Sequence, residues 1–242
     1  MMRDDLAFLA QKPLRALRSG RVWLSPLVIR LSPWRTAIME ARRLEDEGRF
    51  DEALAAWKRL GSVKKARAAV FRLTLRRARQ AMQRENWVEA VKDFGALFAL
   101  DPHDIRASRG LESAALRGAR HAQANGQWIE ACRMWAIFGR ASPDVVKCVR
   151  NLGDCARYVA QSADNVEKMA DALEGWRLLK SVDRQSHEAQ QGMEWCHLSL
   201  ARAAERASDH ATARNHWNAL LELSPGDQRA LDGLRRLDNA HP

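Results

Sequence analysis

Five triplets of two alanines and one large aromatic residue recur along the chain at nearly constant spacing. In each triplet the second alanine follows the first after 12 residues, and the aromatic residue follows after four more. The triplets are Ala41/Ala53/Trp57, Ala78/Ala90/Phe94, Ala119/Ala131/Trp135, Ala160/Ala172/Trp176 and Ala201/Ala213/Trp217, offset by 37, 41, 41 and 41 residues. Self-similarity with a period of about 20 to 50 residues is typical of stacked supersecondary units. We therefore predict a repeat solenoid.

The apolar pattern within each unit has the period of a helix. In the second unit Phe71, Leu75, Ala78 and Met82 have the i, i+4, i+7, i+11 spacing of one buried helical face. The linkers contain Asp101-Pro102, Ser142-Pro143 and Ser224-Pro225, in which we predict a side-chain N-cap followed by proline at the first helical position. The predicted helices are 34–47 and 51–60, 63–84 and 87–100, 104–125 and 128–139, 143–163 and 166–181, 184–208 and 210–222, and finally 227–238. No strand pattern competes with them, so the predicted fold class is all-α.

Each unit resembles a tetratricopeptide repeat. The third unit matches the family pattern with Ala119, Gly126, Trp128, Ala131, Trp135 and Pro143. The resemblance implies a right-handed superhelical solenoid of about five helix pairs over residues 35–240, with a C-terminal capping helix. The period departs from the family value of about 34 residues. We assign the seven extra residues, which make two helical turns, to the start of the first helix of each pair.

Positive charge is concentrated in the first third of the chain. Residues 1–84 hold 20 Lys and Arg against 8 Asp and Glu, a net +12, whereas residues 85–242 hold 20 against 22, a net −2. Residues 53–84 contain ten basic side chains and no acidic one. Such asymmetry indicates an anionic partner for this end: an acidic protein, a nucleic acid or an anionic membrane surface.

The resemblance also implies a concave groove lined by the first helix of each pair. The residue after the first alanine of each triplet is expected in this groove, and so is the residue seven positions before it. The partner-binding residues predicted in this way are Arg35, Arg42, Arg72, Arg79, Arg120, Arg202 and Trp195; repeat 4 supplies Gln161 and Asp154 instead. Guanidinium groups so placed can bind carboxylates or phosphates in a bidentate manner. The alternative is that these arginines pair with acidic side chains of neighbouring helices.

Residues 1–34 form a basic and apolar N-terminal arm. Its apolar run from Val22 to Ile29 is interrupted by Pro26 and is too short to cross a bilayer, which needs about 20 residues. Trp23, Leu27 and Ile29 are the predicted docking residues. Two interpretations remain open: a cap over the first repeat, which solenoids require, or an anchor on a partner or on anionic headgroups.

No catalytic motif occurs in the sequence. It lacks a nucleotide-binding loop, a zincin helix and a nucleophile elbow, and its histidines have no metal-ligand spacing. The cysteines Cys132, Cys148, Cys155 and Cys196 form no CxxC pair, which indicates buried thiols in a reducing compartment rather than disulfides or a zinc site. We therefore expect neither enzymatic activity nor a cofactor or metal.

Three hypotheses for the function follow. The first is a cytoplasmic, bacterial scaffold or adaptor whose N-terminal groove binds an acidic segment of a protein partner. The second is an accessory subunit of a bacterial envelope or polysaccharide assembly system, peripheral to the inner membrane through its arm. The third is nucleic-acid binding, which is disfavoured because most tryptophans that could stack on bases occupy packing positions. The identity of the partner and the oligomeric state do not follow from the sequence.

Overall fold

The computed structural model describes residues 33–61 and 64–239, and within these ranges the chain consists of α-helices joined by short turns. The helices are α1 (Pro33–Asp46), α2 (Phe50–Arg59), α3 (Lys64–Gln83), α4 (Trp87–Leu100), α5 (Ile105–Ala124), α6 (Trp128–Ala141), α7 (Val145–Gln161), α8 (Val166–Val182), α9 (His187–Arg206), α10 (His210–Leu223) and α11 (Gln228–Asn239). No strand occurs in this part of the chain. The predicted all-α fold is confirmed.

The helices pack as five pairs, here called repeats 1 to 5, and each repeat has a first helix A and a second helix B. Each helix packs against its neighbours in the chain, and α11 packs on α10 at the C-terminal end. The predicted boundaries are within three residues of the observed ones. The predicted N-caps in the proline linkers are wrong. Asp104 and Asp144 cap α5 and α7, and α11 begins only at Gln228, because the residues around each proline form a turn before the helix starts.

The aromatic residue of each triplet is buried between repeats. Trp57, Phe94, Trp135, Trp176 and Trp217 are at most 4% exposed. Three of these rings lie against a glycine 16 residues later, on the next helix: Phe94 on Gly110, Trp176 on Gly192 and Trp217 on Gly233. A Cβ atom at any of these glycines would come within 2.2 to 2.4 Å of the ring. The glycines therefore allow the close approach of consecutive repeats.

We expect Gly192→Ala to lower the free energy of unfolding by about 1–3 kcal/mol, because its new Cβ atom overpacks the ring of Trp176. Gly95→Ala is the matched control, since a Cβ atom there has its nearest neighbour at 4.0 Å. The control should raise stability by up to about 1 kcal/mol through helix propensity. Urea denaturation followed by circular dichroism measures both. Equal effects of the two substitutions would contradict the assigned contact.

Repeat 4 departs from the predicted register by one helical turn. Ala160, the first alanine of the fourth triplet, is only half-buried, whereas Ala156 is fully buried, and a Cβ atom at Gly175 of α8 would lie 3.5 Å from the Cα and Cβ atoms of Ala156. Ala156 lies five residues before the end of α7, as Ala119 lies five before the end of α5. In repeat 4 helix A is shorter and helix B longer than in repeats 2, 3 and 5, which preserves the 41-residue period and hides the shift.

Repeats 2 and 5 each hold a pair of ionisable side chains between their own helices A and B. In repeat 2 the guanidinium of Arg77 donates two hydrogen bonds, of 2.6 and 2.7 Å, to the carboxylate of Asp93, which is 2% exposed. In repeat 5 the Nδ1 atoms of His197 and His216 lie 3.0 Å apart. Burial, and then the proximity of His216 and Arg177, lowers the pKa of His197 to about 4. Repeat 4 has Leu152 at the position of His197.

The histidine pair predicts a loss of stability in acid. Because the folded-state pKa of His197 lies below its ordinary value, the unfolded chain binds more protons between about pH 6.5 and pH 4. The free energy of unfolding should therefore fall as the pH drops through this window. His197→Leu, which introduces the residue found in repeat 4, should make the fall shallower. Denaturation midpoints of both proteins at several pH values test this, and parallel pH curves would contradict it.

Candidate functional site

The residue after the tightly packed alanine of helix A is an arginine in every repeat. With the corrected register of repeat 4, Arg157 takes the place expected for Gln161. We call Arg42, Arg79, Arg120, Arg157 and Arg202 the arginine row. All five are exposed. They lie on equivalent faces of five stacked helices because the preceding alanine is fixed by packing in each repeat.

Most members of the arginine row have no partner among the residues that the structure describes. Within residues 33–61 and 64–239, the guanidinium groups of Arg42, Arg79, Arg120 and Arg202 take part in no ion pair or hydrogen bond. Arg157 differs, since it pairs with Asp154 and lies 3.4 Å from Glu188. Four cations of the row are thus available to a ligand.

Arg72, seven residues before Arg79, forms an ion pair with Glu45 of the preceding repeat. The side chain of Glu45 is only 16% exposed, and it also accepts a 2.5 Å hydrogen bond from the indole Nε1 of Trp57. The same arrangement recurs at the C-terminal end. There Glu205 accepts a hydrogen bond from Trp217 at 2.9 Å and pairs with Arg236 at 3.1 Å. This recurrence gives Arg72 a role in joining repeats 1 and 2.

The acid-free stretch of residues 53–84 therefore does find acidic partners, on other helices. Arg72 reaches Glu45, and Arg77 reaches Asp93 and, at 3.5 Å, Asp51. The hydrogen bonds to Asp93, more than the other contacts, raise the pKa of Arg77 above its ordinary value. Among the predicted groove residues, the alternative of pairing with an acidic side chain of a neighbouring helix therefore holds for Arg72 and does not apply to Arg79.

Arg42 and Arg72 line one cavity of about 450 Å³ between α1 and α3. Its lining residues are Arg42, Glu45, Asp46, Trp57, Lys65, Ala68, Ala69 and Arg72. Three cations face two carboxylates across this space. The structure thus brings Arg42 and Arg72 together and adds Lys65, which the sequence analysis did not single out. Lys65 lies seven residues before Arg72 on α3, which is about two helical turns, so both side chains are on the same face of the helix. This spacing is visible in the sequence.

The remaining predicted residues lie at the two ends of the array. Arg35 lies over the ring of Trp34 with its guanidinium carbon 5.3 Å from the ring centroid, and both side chains are exposed. Trp195 is 44% exposed and lies seven residues before Arg202 on α9. Trp23, Leu27 and Ile29 lie outside the described residues. No helix of the described chain is long and apolar enough to cross a membrane.

The cysteines and histidines of the described chain form no metal-binding cluster. No cluster of three or more His, Cys, Asp or Glu side chains that could hold a metal ion is found in residues 33–61 and 64–239. Cys132, Cys148, Cys155 and Cys196 are buried free thiols. Burial raises the pKa of Cys148 to about 11 and that of Cys196 to about 12, which disfavours the thiolate.

No protein-family model and no curated protein sequence matches this chain. Solved structures that resemble it include a tetratricopeptide repeat protein from Parabacteroides merdae (13% identity, TM-score 0.24), over 84% of this chain and 72% of that one. The TPR domain of P58(IPK) matches at 15% identity and a TM-score of 0.25, over 85% of this chain and 55% of that one. A TPR protein of Thermus thermophilus matches at 17% identity and a TM-score of 0.23, over 86% of this chain and 98% of that one. All three carry the repeat that the sequence resembles.

Arg72 and Arg79 should respond differently to charge reversal. Arg72→Glu places a carboxylate beside the largely covered Glu45, so we expect a loss of about 1–2 kcal/mol in the free energy of unfolding. Arg79→Glu, on the same helix face and without an acidic partner in the described residues, should change it by less than about 0.5 kcal/mol. Chemical denaturation of both variants tests this. A stable Arg72→Glu protein would mean that the pair with Glu45 contributes nothing.

Proposed function

We propose that the protein is a non-enzymatic helical repeat scaffold that binds an acidic segment of a protein partner through the arginine row. The observation that carries this proposal is the arginine at one equivalent, exposed position in all five repeats, with four guanidinium groups free of intramolecular partners in the described chain. The packing of each repeat requires the small alanine before the arginine, but it does not require the arginine itself. The repetition is therefore best explained by a ligand that contacts several repeats.

The chemistry of the row fits carboxylates. A guanidinium group presents a rigid fork of N–H donors that matches a carboxylate in a bidentate manner. Each hydrogen bond to a charged group contributes about 1.5–3 kcal/mol in favourable cases, and less at an exposed site. Affinity must therefore come from several repeats acting together, and it should depend on salt. The cavity between α1 and α3, with Arg42 and Lys65 at its wall, is the place where one acidic side chain could be most enclosed.

A second candidate function is supported by the N-terminal arm alone. Six basic residues and no acidic residue occur between positions 12 and 35, around the apolar run that contains Trp23 and Leu27. This composition suits attachment to an anionic membrane surface, as expected of a peripheral subunit in a bacterial envelope or polysaccharide assembly system. Cosedimentation of the full chain with anionic liposomes, compared with a variant lacking residues 1–34, separates this candidate from the first.

Charge reversal within the row should abolish partner binding. Affinity purification with the wild-type protein, followed by mass spectrometry, identifies the partner in the proposed cytoplasmic bacterial setting. We expect the double variant Arg79→Glu and Arg120→Glu to retain at least tenfold less of that partner. The matched control is Arg59→Glu with Arg140→Glu, which makes the same change in net charge on exposed positions of helices B.

The wild-type complex should also weaken as salt rises from about 0.15 M to 0.5 M, because exposed charges are screened beyond a Debye length of about 8 Å or less. Equal retention of the partner by the two double variants would place the binding surface outside the row. The exposed Trp195 and the N-terminal arm would then be the surfaces to vary.

A further inference from the structure

In repeats 1 to 3 an aromatic ring near the start of helix B is covered by a long side chain of the next helix A. Each ring lies three residues before the second alanine of its triplet, at Phe50, Trp87 and Trp128. The contacts are that of the Arg76 guanidinium carbon, 3.6 Å from the ring centroid of Phe50, and those between the ring centroids of Trp87 and His121 at 6.4 Å and of Trp128 and Tyr158 at 4.4 Å. Consecutive repeats are thus joined by a second side-chain contact near the turn between helices A and B.

The contact between repeats 4 and 5 has neither the ring nor its cover. Met169 occupies the place of the ring. In the other repeats the covering residue lies two positions before or after the tightly packed alanine of helix A, and in repeat 5 these positions hold Ser199 and Ala203. Three side chains are therefore smaller or narrower than their counterparts at the earlier contacts.

A cavity of about 310 Å³ lies at this place. We call it the cleft between repeats 4 and 5. Its walls include Val166 and Met169 of α8 together with Ser199, Leu200, Ala203 and Arg206 of α9. Val166 is 59% exposed, so an apolar part of the wall faces solvent. Ligand pockets have volumes of about 300–1,000 Å³, and a cleft at the lower end of this range suits one side chain of a ligand.

The charge beside the cleft is positive and belongs to the face of the arginine row. Arg202 of the row and Arg206 lie one turn apart on α9, and both are exposed. Neither forms an ion pair among the residues that the structure describes, and Arg206 donates only to the carbonyl of Arg202 at 3.3 Å. Asp164, an acidic residue of the cleft, pairs with Lys168 at 3.0 Å. A ligand with carboxylates next to its buried side chain complements this charge.

The side chains of the cleft favour an aromatic ring over an aliphatic side chain. A thioether, here that of Met169, makes favourable contacts with the edge of a ring. A guanidinium group, here that of Arg206, is attracted to its face. The chain itself supplies the template, because the equivalent place between repeats 3 and 4 holds the stacked rings of Trp128 and Tyr158, inclined by 13°.

We propose that the acidic segment of the partner carries an aromatic side chain, which inserts into the cleft between repeats 4 and 5. This inference rests on the proposed function, since it adds a specificity pocket to the carboxylate-binding face. The ring fills the space between Met169 and Ala203. The carboxylates on either side of it contact Arg202 and Arg206.

Three synthetic peptides test the preference for a ring. Each has four glutamates, one variable residue and four further glutamates, so that the variable residue has carboxylates on both sides. The variable residue is Trp, Leu or Ala. Fluorescence anisotropy with the full-length protein in low salt measures the three affinities. We expect the Trp peptide to bind about tenfold more tightly than the Ala peptide, and clearly more tightly than the Leu peptide, because the ring buries the largest area and contacts Arg206.

Filling the cleft from within should remove this preference. Met169→Trp with Ala203→Tyr introduces the residue pair found between repeats 3 and 4. The affinity for the Trp peptide should fall to that for the Ala peptide, which itself should change by no more than about twofold. The single variant Ala203→Tyr makes the same test if circular dichroism shows that the double variant is unfolded. The matched control, Val88→Trp with Ala96→Tyr on exposed positions of α4, should retain the preference.

Variants of the arginine row separate this inference from the proposed function. Arg120→Glu with Arg202→Glu should weaken all three peptides about tenfold, whereas Arg59→Glu with Arg140→Glu, on helices B, should change none by more than about twofold. Equal affinities of the three peptides, a Leu peptide as tight as the Trp peptide, or a preference that survives filling of the cleft overturns the aromatic pocket and leaves the row as a carboxylate site. Failure of all three peptides to bind overturns the proposed function together with this inference.

Other occupants of the cleft give different results. If Trp23→Ala in the full-length protein tightens the Trp peptide about tenfold, the cleft holds the N-terminal arm and the inference is overturned. Sedimentation velocity of the wild type and of the filled variant tests a second copy of the chain as occupant. A dimer that only the filled variant loses overturns the inference as well, and the same oligomeric state in both proteins supports it.

Discussion

The array depends on the contact between an aromatic ring of helix B and a glycine of the next helix. Phe94, Trp176 and Trp217 each bury their ring in this way against a glycine. The ring supplies the apolar area, and the missing Cβ atom lets the helix backbone approach. At the interface between repeats 3 and 4 the positions are exchanged, and the glycine lies on helix B. There a glycine on helix B, Gly139, makes room for Cys148, whose thiol donates a hydrogen bond to the carbonyl of Trp135 at 2.9 Å.

This packing also determines which residues can form a binding face. Once the alanine of helix A is held against helix B, the next residue is turned away from the core, and in all five repeats it is an arginine. Repeat 4 shows how closely the two positions are linked. Its tightly packed alanine lies one turn earlier than the 41-residue period predicts, at Ala156, and an arginine follows it there as well. The cation accompanies the packing position and not the period.

The sequence determines the helices well because their signals are local. Apolar period and turn residues predicted every helix boundary of the described chain within three residues. Such local signals do not predict which side chains form ion pairs between helices. Asp93 lies on a helix whose neighbouring residues give no sign that it faces Arg77, 16 residues away, and Glu45 meets Arg72 across 27 residues. The repeat spacing favours Ala160 over Ala156, because the compensating lengths of α7 and α8 keep the period at 41 residues.

Each end of the described array has a polar contact between helices that its central repeats lack. The central core is one cluster from α3 to α9, whereas the N-terminal and C-terminal clusters are much smaller. At both small clusters a tryptophan donates its indole hydrogen to a glutamate that an arginine of the next helix also holds: Trp57 with Glu45, and Trp217 with Glu205. In the centre, the indole nitrogens of Trp135 and Trp176 are buried without a hydrogen-bond partner in the described residues. Terminal repeats have a neighbour on one side only. These ion pairs lie where the apolar clusters are smallest. An arginine on the candidate face, Arg72, therefore belongs to the contact between repeats as much as to the surface.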